Sequence, residues 1–209
     1  MDTMVLHKGE VFEHVFLNEP VDLHIVQEAG SHVKIHLINF SSATNRVSVE
    51  QVGEGCETEI NGLAYLHGDE KVTLETHVHH TIGGGISNQL IKFVLDDRSQ
   101  GHFIGDLHIA PDAQQVEAHQ TNRNLLLSEN AQMRTQPQLE IYADDVQATH
   151  GASTGQLDES ALFYMQQRGI GKQKARQLLV GAFMKEVIEA ISEQSVREPL
   201  LNAIDGVFE

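Results

Sequence analysis

The chain has 209 residues and a net charge of −16, with 40% hydrophobic and 21% charged residues. Such a composition predicts a globular protein of one or one and a half domains, and its negative charge argues against nucleic-acid binding or docking on anionic membranes. The single cysteine, Cys56, excludes an internal disulfide, and no apolar run approaches the ~20 residues of a bilayer span. Since residues 1–14 also lack a signal-peptide pattern, we expect a cytoplasmic protein.

Residues 11–150 consist of short stretches in which apolar and polar side chains alternate, as in β-strands with one buried face. The predicted strands cover residues 11–17, 21–25, 33–37, 47–52, 58–66, 71–79, 89–95, 102–109, 116–121 and 138–143. Turn signals separate them regularly, and helical crossovers are absent, which excludes a doubly wound α/β fold. A sandwich, a barrel and a β-solenoid remain open. Scarce aromatics suit the flat layers of a solenoid, although periodicity alone does not choose among the three.

After Gly155 the hydrophobic period changes from 2 to 3.6, which predicts a helical unit over residues 155–209 behind a β body over residues 1–154. Asp158 is the predicted N-cap of a helix over residues 159–168, which Gly169 ends. The second helix has an apolar stripe predicted to face the core: Ala175, Leu178, Leu179, Ala182, Phe183, Val187, Ile188 and Ile191. A short third helix is predicted to begin near Pro199 and to carry Leu200, Leu201, Ile204 and Val207.

The helical unit is expected to have one face against the β body and one face free. Candidates for the free face are Tyr164, Gln166, Gln167, Arg168 and Lys172. The Gly83-Gly84-Gly85 triplet is followed by no Gly-Lys-Ser/Thr sequence, so it predicts a turn rather than a phosphate-binding loop. No catalytic triad or carboxylate pair is predicted from spacing.

Three histidines, at two places in the sequence, are candidate metal ligands. His77 and His79 share one face of a predicted strand, roughly 7 Å apart, a spacing that Zn or Ni could bridge. The more common alternative for such a pair is a row of polar side chains facing solvent. His150 lies in a predicted turn between the β body and the first helix, and a neutral imidazole there could bind iron or zinc. The alternative for His150 is a turn histidine that caps a backbone carbonyl.

Residues 77–192 resemble the C-terminal part of the SufB/SufD family of iron–sulfur cluster assembly scaffold proteins. The resemblance is carried by Ser87–Leu90, Pro111–Gln114, Ala118–Leu127, Pro137–Val146, His150–Ala152, Gly155–Glu159, Leu162–Tyr164 and Arg168–Ile170, in this order. The Ala118-His119-Gln120-Thr121-Asn122 segment makes the chain more similar to the SufD branch.

The resemblance implies an all-β core built as a right-handed parallel β-helix, followed by a small α-helical unit. It implies a non-enzymatic scaffold that docks a SufC-like ABC ATPase through its C-terminal helices, for which Tyr164, Gln167, Arg168 and Lys172 are the candidate contacts. ATP hydrolysis would belong to that partner. The resemblance further implies a dimer with a SufB-like partner or a homodimer, with His150 at the position of the SufD histidine. No tightly bound cofactor is expected, only transient iron or an Fe–S cluster at a subunit interface.

Three departures from the family pattern qualify this hypothesis. Residue 148 is Ala where SufD proteins usually carry Cys, and residue 122, near the place of the SufB cysteine, is Asn, so a SufB role is not expected. The chain is also about half the usual family length, as a natural short homologue or a fragment. One alternative is a β-solenoid interaction module without assembly chemistry. Another is a small metal-binding enzyme that uses His77 and His79.

Overall fold

The structure is a computed structural model that describes the backbone of residues 1–206 and the side chains of residues 1–204. Val207, predicted to belong to the third helix, lies outside the described residues. The strands are β1 (Asp2–Leu6), β2 (Val11–Leu17), β3 (Val21–Gln27), β4 (His32–Asn39), β5 (Ala43–Gln51), β6 (Glu57–Leu66), β7 (Lys71–His80), β8 (Ile86–Leu95), β9 (Gln100–Ile109), β10 (Val116–Leu126), β11 (Gln132–Ile141) and β12 (Val146–Gly155).

Successive strands alternate between two sheets, so that the chain winds as a solenoid. Sheet A has the order β1-β3-β5-β7-β9-β11, and sheet B has the order β12-β10-β8-β6-β4-β2. Neighbouring strands in both sheets are parallel and in register. The fold class predicted from the resemblance, a parallel β-helix followed by helices, is confirmed, and the sandwich and barrel alternatives are excluded.

Register stacks equivalent residues of successive coils into columns, because side chains on a strand alternate between the two faces. The inward columns form the main core, which contains Ile35, Ile60, Val78, Phe93 and Leu107. This explains why local alternation located ten of the strands, although the predicted strand over residues 138–143 covers only the last four residues of β11. It did not predict β1 or β12, since β12 contains Gly151 and Gly155 and is held by pairing with β10, thirty residues earlier.

Three helices follow: α1 (Glu159–Gln167), α2 (Lys172–Glu189) and α3 (Gln194–Gly206). Asp158 is the N-cap of α1 as predicted, accepting hydrogen bonds from the backbone N–H of Ser160 and Ala161 at 2.8 and 3.3 Å. The predicted start of the third helix at Pro199 is wrong, because α3 begins at Gln194 and contains Pro199. Packing of Leu200 and Ile204 against the apolar cluster under the helices offsets the single backbone hydrogen bond that a proline removes.

The predicted buried stripe of α2 is partly wrong. Leu178 and Ala182 are exposed, while Val180, Gly181 and Met184 are buried. The helix is rotated relative to the prediction because its buried face follows the apolar outer surface of sheet B. That surface consists of Ile38, Leu63, Tyr65, Val94 and Leu125.

Polar contacts fix the helical unit on sheet B. Lys92, almost completely buried, forms an ion pair with Glu186 and donates a hydrogen bond to the carbonyl oxygen of Phe183 at 2.8 Å. Burial lowers the pKa of the Lys92 ammonium, and the Glu186 carboxylate opposes that effect. Arg176 donates to Asp96 Oδ2 at 3.1 Å and to the carbonyl of Leu127 at 3.0 Å. Within residues 1–206, no helix is long and apolar enough to cross a membrane.

Candidate functional site at the open end of the solenoid

One inward column changes from apolar to polar as it approaches the C-terminal end of the solenoid. We call it the axial column, and register assigns it, from β4 to β12, the residues Ile35, Ile60, Gln89, Gln120 and His150. The first four are buried, and His150 is exposed because β12 is the last strand of sheet B. The column therefore leads from the core to solvent through two amides and one imidazole.

His150 is not in a turn, so that part of the prediction is wrong. It lies in the middle of β12, paired with Gln120 of β10. Alternation along β12 places Val146 and Ala148 against the core, and His150 lies on the same inward side. With no further coil beyond β12 in the described residues, its imidazole is open to solvent at the end of the solenoid. We call the surface formed by the terminal strands β11 and β12 the open end.

Gln120 is the most unusual polar residue near His150. Its side chain is 1% exposed, yet within the described residues neither its Nε2 nor its Oε1 has a hydrogen-bond partner. Gly105 of sheet A faces it, and a Cβ atom at that glycine would lie 2.5 Å from Gln120 Nε2. The amide thus occupies space that only a glycine leaves free.

The polar residues around Gln120 are better satisfied. Gln89, one coil deeper, accepts a hydrogen bond from Thr76 Oγ1 at 2.7 Å, although its Nε2 is unpartnered in the described residues. Asn122 and Asn124 donate to each other's carbonyl oxygens at 3.0 and 2.7 Å, and Thr135 donates to Asn122 at 2.9 Å. On β10, next to the open end, a hydrogen-bond network between Asn122, Asn124 and Thr135 therefore lies beside an amide, Gln120, that has no partner in the described residues.

His77 and His79 both project from the outer face of β7, as predicted, but each contacts other side chains. His77 Nε2 lies 2.9 Å from Glu75 Oε1, and its Nδ1 lies 3.4 Å from Asp106 Oδ2. The His79 ring packs edge-on against His108 of the neighbouring strand, with centroids 4.2 Å apart. Among the described residues no three His, Cys, Asp or Glu side chains are grouped as a metal-ligand set. Metal binding by His77 and His79 stays a prediction.

The four residues predicted to bind the ATPase lie together around the loop between α1 and α2. Tyr164, Gln167, Arg168 and Lys172 are all exposed. The Arg168 guanidinium lies over the Tyr164 ring at 4.9 Å from its centroid. Beside them, Lys172 lines a cleft of about 240 Å³ between the helices and the end of β10. Phe163, 62% exposed, adds an apolar side chain to this surface.

Cys56 is completely buried and precedes β6, which lies three strands away from β12 in sheet B. Its Sγ contacts the carbonyl oxygens of Gly53 and Glu28 at 3.1 and 3.2 Å. Cys56 therefore has a structural place in the turn that precedes β6.

Sequence reasoning missed Gln120 as a site residue. The signal was present in β10, where Ala118, Gln120, Asn122 and Asn124 occupy every second position and so share the inward face. Asn122 and Asn124 are in register with the apolar residues Ile91 and Phe93 of β8, so their amides indicate that the interior becomes polar at this coil. Whether the Gln120 amide has a hydrogen-bond partner depends on the residues of sheet A that face it. The sequence around Gln120 does not show which residues these are.

Comparison with known proteins agrees with this architecture. A family model described as SUF system FeS cluster assembly, SufBD core domain, matches residues 20–183. The iron-sulfur cluster assembly protein SufD of Escherichia coli (strain K12) is 33% identical over 183 residues, which cover 88% of this chain and 43% of that protein.

Two further relatives show the same pattern. An iron-sulfur cluster assembly SufBD family protein of Synechocystis is 32% identical over 86% of this chain and 40% of its own length. The chloroplastic protein ABCI7 of Arabidopsis thaliana is 31% identical over 98% of this chain and 45% of its own length. The chain thus spans less than half the length of these relatives. It belongs to the SufBD family of iron–sulfur cluster assembly proteins and is SufD-like.

Proposed function

We propose that this protein is a scaffold subunit of a SufBCD-type assembly complex, in which His150 presents its imidazole to iron or a nascent cluster. The observation that carries the proposal is that His150 faces inward and yet is exposed, because it lies on the last strand of an open solenoid. A second solenoid seated on the open end would enclose the imidazole between two subunits, and the iron or cluster there is cargo rather than a resident cofactor.

The strands of the open end support pairing with a SufB-like partner or with a second copy of this chain. β11 and β12 each have ten residues and end their sheets, so their outer backbone N–H and C=O groups are available to another chain. Ile141 and Tyr142, 41% and 60% exposed, add apolar surface beside β11. Backbone pairing and burial of these side chains would both favour association.

We further propose that a SufC-like ATPase docks on the loop between α1 and α2, and that ATP hydrolysis belongs to that partner. Support comes from the exposed aromatic and cationic side chains there, Phe163, Tyr164, Arg168 and Lys172. The ion pairs of Lys92 and Arg176 fix α2 to sheet B, so movement of the ATPase would reach the solenoid through α2. A cytoplasmic location, where thiols stay reduced, fits the free Cys56.

The test is co-expression of the chain with SufB-like and SufC-like partners, followed by iron and sulfide assays of the purified complex. His150→Ala should lower the iron and sulfide content to a tenth or less without preventing assembly, because it removes a ligand and no packing. His119→Ala is the matched control, since His119 lies on the outer face of neighbouring β10 and contacts Thr149. Unchanged iron and sulfide in the His150→Ala complex would contradict the ligand role.

One observation favours a second candidate function, an interaction module without assembly chemistry. Ala148 lies two residues before His150 on the same inward side, where SufD proteins usually carry a cysteine, so this end has one potential ligand fewer. Under this alternative, the ATPase would still bind the chain in a pull-down, and iron content would not depend on His150.

A further inference from the structure

We propose that Gln120 is a positioning residue for the group that His150 holds: its carboxamide hydrogen-bonds a sulfide or water ligand of the iron inside the last closed coil. This inference rests on the proposed function and deepens it. Gln120 itself does not bind the metal.

The first argument is the energetic cost of an unsatisfied amide. Gln120 is buried to 1% exposure, and within residues 1–204 neither of its amide atoms has a partner. A buried polar group without a hydrogen bond costs about 1–3 kcal/mol, so an apolar side chain of the same size would stabilise the isolated chain. A bound ligand that supplies the missing hydrogen bonds gives this amide a function.

The second argument is direction. The neighbour of Gln120 towards the core, Gln89, already accepts the Thr76 hydroxyl, and the neighbour towards solvent is His150. Adjacent parallel strands lie about 4.8 Å apart, so a group bound to the imidazole is within reach of the Gln120 amide.

The third argument is the contrast with the other amides of β10. Asn122 and Asn124 lie on the same inward face and the same end of the solenoid, and they bond to each other, to Thr135 and to the backbone. Lack of a partner is therefore a property of Gln120 and not of all polar groups at the open end.

The chemistry of a carboxamide fits a ligand of a metal ion better than the metal itself. Its N–H groups can donate to sulfide or hydroxide, and its oxygen can accept from bound water. Hydrogen bonds of this kind orient metal ligands, and their removal typically lowers metal affinity about 10–100-fold. Hydrogen bonds to cluster sulfides also change reduction potential and absorption.

The experiment compares Gln120→Leu with Gln89→Leu, a matched control one coil deeper in the same column. Both are measured in the co-expressed complex, by the cluster absorption spectrum and the rate of iron loss to a chelator, and in the isolated chain, by urea unfolding. We expect Gln120→Leu to shift the spectrum and to accelerate iron loss about tenfold or more, with an unfolding midpoint at least as high as wild type. Gln89→Leu should leave the spectrum and the iron-loss rate unchanged and lower the midpoint, because the Thr76 hydroxyl loses its acceptor.

A second variant keeps the test decisive if Gln120→Leu does not assemble. Gln120→Glu has nearly the same shape but replaces the N–H donors by an oxygen, so it should accelerate iron loss as well. A wild-type spectrum and iron-loss rate in the assembled variant overturn the inference, whatever its stability. If His150→Ala lowers iron while Gln120→Leu behaves as wild type, the positioning role alone fails. If His150→Ala changes nothing, the proposed function fails first.

Discussion

Two groups of buried polar side chains lie inside the same solenoid and differ in how they are satisfied. At one corner, which we call the corner ladder, two hydrogen-bonded groups lie on neighbouring strands: Gln27, Thr58 and Gln51 form one, and His80 and Ser87 form the other. Thr58 donates to Gln27 Oε1 and accepts from Gln51 Nε2 at 2.8 Å, and His80 Nε2 lies 2.8 Å from Ser87 Oγ. Every member has at least one partner, whereas Gln120 in the axial column has none in the described residues.

The difference shows that polarity inside a solenoid is not by itself a sign of function. Each side chain of the corner ladder makes at least one hydrogen bond within the protein, although Gln51 Oε1 and His80 Nδ1 have no partner in the described residues. Hydrogen bonds among buried polar side chains are a structural solution. The axial column ends in an amide that the protein does not satisfy and in an imidazole open to solvent. We therefore regard the corner ladder as part of the scaffold and the end of the axial column as the site.

The largest expected effect comes from placing an unsatisfied amide elsewhere in the same coil as Gln120. Leu107 of β9 is completely buried, and its register neighbours Val78 and Leu139 are apolar. Leu107→Gln should lower the free energy of unfolding by about 3–6 kcal/mol, since it loses apolar burial and buries an unpaired amide. Urea unfolding of the isolated chain measures this difference.

Leu107→Met is the control for Leu107→Gln, because it keeps the volume and should cost less than about 1.5 kcal/mol. If Leu107→Gln is tolerated as well as Leu107→Met, the interior accepts unpaired amides generally. The contrast between the corner ladder and Gln120 would then carry no information about function.

The next effect concerns the pH dependence of stability. Burial lowers the pKa of the His80 imidazole to about 4, with the neighbouring His79 as a smaller cause. The folded state therefore binds this proton less readily than the unfolded state. Its contribution to stability is complete above pH 6.5 and is lost as the pH falls towards 4, by about 3 kcal/mol.

Urea unfolding at pH 7, 6, 5 and 4 measures this loss, and His80→Gln should remove most of it while keeping a polar group near Ser87. His36 and His79, whose pKa values burial also lowers, contribute in the same direction to the residual pH dependence of the variant. Equal pH profiles for wild type and His80→Gln would mean that His80 is not held neutral inside the corner ladder.

Local sequence was sufficient for most of the fold because each strand's alternation reflects its own burial. β7, with Val72, Leu74 and Val78 inward, illustrates this. It was not sufficient for β12, whose Thr-His-Gly-Ala-Ser sequence is typical of a turn and becomes a strand only by pairing with β10. The burial of α2 was mispredicted for a similar reason, since the surface it packs on comes from four other strands.

The candidate site was predictable in part. The resemblance identified His150 as a candidate ligand. The sequence predicted that it lies in a turn, whereas in the structure it lies on β12, at the end of the axial column. The role proposed for Gln120 required knowledge of both sheets. Gly105 of sheet A determines the space around the Gln120 amide, and the Thr76 hydroxyl of sheet A donates its hydrogen bond to Gln89. Contacts between strands that are distant in sequence decide such details.

The smallest effect sharpens the comparison within the corner ladder itself. Thr58→Val keeps the shape of the side chain but removes the hydrogen bond donated to Gln27 Oε1 and the one accepted from Gln51 Nε2. We expect the free energy of unfolding to fall by about 1–3 kcal/mol, because the buried Gln27 oxygen loses its donor. Thr73→Val, on the outer face of β7, is the control and should change the free energy of unfolding by less than about 0.5 kcal/mol.

The comparison between the corner ladder and the axial column depends on the order of two free energies of unfolding: Thr58→Val must destabilise the isolated chain more than Gln120→Leu does. Should the two variants cost the same, the missing partners of Gln120 would have no energetic meaning, and the axial column would be as structural as the corner ladder.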